Sequence, residues 1–123
     1  MHWQIFRFQM IARASTWIGA MVILILSVVP AADRPVTGGG QSIEHVAAFA
    51  IVAGCFAIGY AISLPAQILL ASMFCTFVEV IQIPVPGRHA RVSDLAIDLA
   101  ASCGAIVTVR LLKMIFTINH RKI

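Results

Sequence analysis

Apolar residues run along this chain in four long blocks, not in the alternation of half-buried strands or the narrow stripe of a water-facing helix. The blocks cover about residues 14–32, 44–64, 66–83 and 94–116. Residues 46–64 carry no charge, and at ~1.5 Å rise per residue that length crosses most of a bilayer's hydrocarbon core. Punctuation falls between the blocks. Pro30 closes the first, and Asp33, Arg34, Pro35 and Gly38-Gly39-Gly40 form a flexible polar loop. Ser63-Leu64-Pro65 makes a tight link, and Pro84-Val85-Pro86-Gly87 breaks the third block. The pattern predicts an all-α, integral membrane four-helix bundle with short loops, a single transmembrane domain over residues 1–123.

Composition strengthens that picture. Of 123 residues, 60% are hydrophobic and 11% charged, too few polar groups to cover a soluble domain of this size. The net charge of +4 invites a nucleic-acid reading, but the basic residues flank the apolar blocks and form no face for phosphates. Arg7, Arg13, Arg110, Lys113, Arg121 and Lys122 fall on one side of a four-span layout, and Arg34, Arg88 and Arg91 on the other. Six against three places both termini in the cytoplasm. His2 to Phe8 mixes aromatics with Arg7, as interfacial segments do. The first block also has the makings of a secretory signal cleaved before Ala32, although with its flanks it is long enough to stay as a span. Cys55, Cys75 and Cys103 all lie in apolar stretches and read as small packing residues.

On this layout the polar groups gather at one membrane face. Glu44 and His45 open the second span, Glu79 and Gln82 close the third, and Asp94 and Asp98 begin the fourth. Glu79 and Asp98 each fall four residues inside the predicted helix ends, about 6 Å deep. A carboxylate at that depth must be protonated, wet or paired. Glu79, Asp98 and His45 are the candidates for acid/base chemistry. Arg88, Arg91, Gln82 and Asp94 are the candidates for holding an anionic ligand. The structural alternative is a Glu79/Arg88/Asp98 network that pins the loop to the bundle. Ser93 with Asp94, and Ser42 with Glu44, would cap the fourth and second helices, while His89 and His120 read as loop and tail residues. No compact ligand motif points to a metal or other cofactor, and no Gly-x-Ser-x-Gly elbow points to a serine nucleophile.

The order His45, Glu79-x-x-Gln82, Pro86-Gly87-Arg88, Asp94-x-x-x-Asp98 and Gly104 resembles the VanZ-like membrane family, over roughly residues 34–104. Many relatives carry Asn where this chain has Asp98, which adds a potential charge here. The resemblance implies a multi-pass protein of the bacterial cytoplasmic (inner) membrane and a link to the cell envelope and glycopeptide antibiotic resistance, without an agreed mechanism. Three functions compete. The first is binding of an anionic envelope lipid or cell-wall intermediate through the outer-face cluster. The second is an enzyme using a carboxylate acid/base on a lipid-linked phosphate. The third is an accessory subunit, packed through Gly54 and Gly59 or Ala96, Ala100, Ala101 and Gly104 against a second copy or an envelope protein. A transport pathway lacks support, since the half of the spans towards the termini looks almost purely apolar. The lipid bilayer is the expected partner, and nucleic acid is not.

Overall fold

The computed structural model of the chain describes residues 2–33, 38 and 40–120. Arg34, Pro35, Gly39, Arg121 and Lys122, and the side chains of Ser42 and His120, lie outside the described residues. Four helices follow one another: α1 (His2–Val28), α2 (Gln41–Gly59), α3 (Leu64–Ile81) and α4 (Val92–His120), with a 3-10 turn at Ala31–Asp33. The all-α bundle expected from the pattern is present. By length and composition α1, α3 and α4 can each cross a membrane, while the apolar part of α2, Ile43–Gly59, is shorter. One end of α2 meets α4 through His45 and Asp98, and the other meets α1 through Gly59 and Arg13. Ile18, Ile51, Leu69 and Ile83 are more than half exposed, as lipid-facing side chains are.

Helix boundaries depart from the block boundaries where local chemistry intervenes. Nothing between His2 and Arg13 breaks a helix, so α1 begins at His2, and Arg13 sits inside it instead of ahead of it. Block two ends early: α2 stops at Gly59, and Tyr60 is extended (φ −117°, ψ 118°). Pro65 then occupies the first turn of α3, where its missing N–H costs nothing. At the end of α2 two backbones come close. A Cβ on Gly59 would lie 3.0 Å from the backbone nitrogen of Arg13, so glycine alone lets α1 pack there.

The core sits chiefly between α2 and its neighbours. Ala53 and Ala57, one turn apart, are small enough to admit the wholly buried Ile106 of α4, and Ile23, Phe49, Cys75 and Val78 join the helices nearer the other end. Of the small residues singled out on α4, Ala101 packs on the core, whereas Ala96, Ala100 and Gly104 are exposed within this single chain. Two buried hydroxyls of α1 are satisfied within their own helix: Thr16 donates to the Ala12 carbonyl at 2.8 Å and Ser27 to that of Ile23 at 2.6 Å. The three cysteines are free thiols, and Cys75 lies 3.4 Å from the Ser102 hydroxyl.

Candidate functional site

Helices shielded from water must find protein partners for the amides and carbonyls that their ends leave over. Several of the charges in this oily chain do that work. Beyond α3, Val85-Pro86-Gly87-Arg88 forms a turn closed by a 3.1 Å bond from the Arg88 N–H to the Val85 carbonyl. Proline at its second position and Gly87 at φ +74° mark it as type II. The turn sends Arg88 back into the bundle. Its guanidinium is buried, donates to Gln82 Oε1 at 3.3 Å, and caps the last turn of α1 by donating to the Leu26 carbonyl. Glu79 does the converse: its Oε1 accepts the backbone N–H of Arg91 at 2.7 Å, just ahead of the first turn of α4.

The predicted pinning network is therefore present with different partners. No bond joins the Arg88 guanidinium to Glu79 or Asp98 among the contacts described. Glu79 ties the loop through a main-chain amide, and Arg88 ties it to α1. The expected Ser93 cap is corrected too. With α4 starting at Val92, Ser93 is inside the helix and exposed, and Glu79 has taken over the end of the helix from α3. Asp94 does fall in the first turn of α4, as Glu44 does in that of α2. Gly40 precedes α2 and offers no side chain to cap it. His89 is exposed on the loop.

One pair caps nothing. Asp98 lies six residues into α4 with 0% exposure, and its Oδ1 sits 3.3 Å from Nδ1 of His45, an ion pair when the ring is protonated. The His45 ring leans on Phe49, with centroids 6.2 Å apart, which orients it from one turn below. Asp94, Asp98 and His45 all stand within electrostatic reach of Glu79, so three helices do bring their polar residues to one place. Within it, Glu79 Oε2, Gln82 Nε2 and both Asp98 carboxylate oxygens are buried without a hydrogen bond. Such atoms are costly to desolvate, and the site offers acceptors and a donor for a polar group brought to it. Arg91 is different from Arg88: its backbone is held, but its side chain is exposed. Among the described residues no three His, Cys, Asp or Glu side chains stand together as a metal ion would need.

A second polar network lies at the opposite end, where the blocks promise an apolar interior. Gln67 of α3 is wholly buried, donating to the Tyr60 carbonyl at 2.8 Å and accepting from Arg110 Nε at 2.9 Å. Arg110 also donates to the Ile62 carbonyl. Arg13 donates from Nε to the Gly59 carbonyl at 2.8 Å, and Lys113 donates to the Ala57 and Ile58 carbonyls at 2.7 and 3.2 Å. Two cations, Arg13 and Lys113, thus cap the carboxyl end of α2, where its dipole favours them, and Arg110 holds the link beyond it. An amide inside an apolar block was the available signal for this network. Gln67 reads as a helix-face residue until Tyr60 and Arg110 are folded beside it. Among known protein families, curated proteins and solved structures, none matches this chain.

Proposed function

We propose that the His45 end of the bundle binds the anionic headgroup of a cell-envelope lipid or cell-wall intermediate, with Arg91 and His45 facing the anion. The observation that carries this reading is Asp98, wholly buried against His45 and not used to complete any helix end. A buried carboxylate that fixes the orientation of a histidine serves recognition better than it serves stability. The geometry divides the two loop arginines. Arg88 is a strap, and Arg91 is the cation left at the surface. The six-to-three split of basic residues supports an orientation with both termini in the cytoplasm and this site on the outer face. The order of His45, Glu79, Gln82, Arg88, Asp94 and Asp98 supports a VanZ-like kinship in a bacterial inner membrane.

Purified protein in neutral-lipid nanodiscs should bind a polyprenyl phosphate, and Arg91→Gln should weaken that binding about ten-fold, as loss of one charge-assisted hydrogen bond does. Arg88→Ala should instead lower the melting temperature, because it frees the Leu26 carbonyl. Equal affinity in wild type and Arg91→Gln would refute the headgroup reading.

The His45–Asp98 contact also favours a second reading, in which the imidazole moves a proton while Asp98 orients it. On a lipid-linked diphosphate, water would add at the terminal phosphorus with His45 taking its proton, the bridging P–O bond would break, and the lipid monophosphate would leave as inorganic phosphate forms. Release of phosphate by the wild type, lost in Asp98→Asn, is the expected result under this reading. No release from any such lipid rules it out.

A further inference from the structure

α1 packs on α2, and α3 on α4, but α1 and α3 scarcely meet. The gap between them is an apolar groove of about 440 Å³, bounded by Trp17 and Ala20 of α1, Phe49 and Tyr60 along α2, and Ala71 and Phe74 of α3. Trp17 is 68% and Leu70 47% exposed at its rim, so it opens sideways onto the membrane. Along α2 the groove runs from Phe49 to Tyr60, eleven residues or about 16 Å. Half of a ~30 Å hydrocarbon core is about 15 Å. It therefore spans one leaflet, and its position on α2 assigns it to the leaflet on the side of the chain termini.

The Tyr60 end of the groove carries interfacial chemistry. The Trp17 indole N–H donates to the Tyr60 hydroxyl at 2.7 Å, so these two polar groups satisfy each other at the depth where such rings settle. The Arg13 guanidinium lies 5.1 Å over the Tyr60 ring. One of its five N–H donors is held by the Gly59 carbonyl, and its side chain is exposed. Lys113 and Arg110 stand on the far side of the same helix end, making that mouth positive. A hydrocarbon-lined slot one leaflet deep under a cationic mouth is complementary to an anionic amphiphile.

We propose that this groove seats one hydrocarbon chain of an anionic phospholipid from the termini-side leaflet, with its phosphate at Arg13. The chain fills space that α1 and α3 leave open and restores the dispersion contacts that an unfilled slot forfeits. The site is separate from the His45 cluster and does not rest on the headgroup reading there.

The chain contains two tryptophans, so Trp3→Phe leaves Trp17 as the reporter. This variant is reconstituted into phosphatidylcholine vesicles containing either phosphatidylglycerol or phosphatidylcholine with brominated chains. Brominated phosphatidylglycerol is expected to quench Trp17 at about five-fold lower mole fraction, the preference that one basic side chain near an anionic headgroup provides. Arg13→Gln should abolish the preference. Ala20→Phe, which fills the groove outside both core clusters, should abolish it with Arg13 intact and with unchanged helicity and elution volume. Equal quenching by the two lipids, or a preference that survives Ala20→Phe, overturns the proposal. So does Trp17 shielded from both lipids in a complex of two copies, which would make the groove a self-association surface.

Discussion

Replacing His45 with alanine should cost the bundle about 3 to 5 kcal/mol, the largest effect expected of any single polar substitution here. Asp98 is fully enclosed, and His45 is the one partner its carboxylate has among the described contacts. The two terminal nitrogens of Arg88, the buried cation of this end, donate to Gln82 and the Leu26 carbonyl. Removing the imidazole strands a carboxylate in a low-dielectric interior, where it must be protonated or must unfold its surroundings. Asp98→Asn removes that liability. In the Asp98→Asn background the same His45→Ala change should cost about 1 kcal/mol, the worth of an ordinary hydrogen bond. Reversible SDS unfolding in mild detergent, followed by far-UV circular dichroism, measures all four corners of the cycle. Equal losses in the two backgrounds would show that the side chains do not interact.

Gln67→Leu should cost roughly 3 kcal/mol, with the damage confined to the opposite end of the molecule. Leucine is close to glutamine in volume, so packing is little changed, but two hydrogen bonds disappear together. The Tyr60 carbonyl loses its donor, and Arg110 loses the acceptor that holds its Nε. Arg110 is only partly buried and can turn toward the interface, which limits the loss. Gln67→Glu keeps an acceptor for Arg110 and loses only the donor to Tyr60, so it should be milder. The same unfolding assay ranks the variants, and polyprenyl phosphate binding at the His45 end should be unaffected by either. A Gln67→Leu protein as stable as the wild type would mean that this network contributes nothing.

Much of the architecture was legible in the chain. Proline and glycine marked every reversal, and the lengths of the uncharged runs called for helices, since a lipid-exposed segment must satisfy its own backbone. The run from Pro84 to Gly87 announced a break in the third helix, and α3 ends at Ile81 just ahead of it. The choice of His45, Glu79, Gln82 and Asp98 as a cluster also followed from helix period and topology alone. Pairing did not. Arg88 lies near Glu79 and Asp98 in sequence, which made a salt bridge the natural expectation, but its bonds go to Gln82 and to a carbonyl 62 residues away. Gly59 looked like general-purpose packing, and its reason is one backbone atom of Arg13.

The sequence by itself determined that the chain folds into helices apolar enough for a membrane, and that its few charges belong at the ends of those helices. Both follow from local properties: hydropathy, residue period and the punctuation of proline and glycine. Tertiary structure alone decided which charge completes which helix end, because an unpaired carbonyl or amide recruits whatever donor or acceptor the packing brings near. It also decided what was left over. With Arg88 and Glu79 assigned to α1 and α4, and Arg13, Arg110 and Lys113 to the end of α2 and the link beyond it, Asp98 and His45 remain, with no backbone to serve.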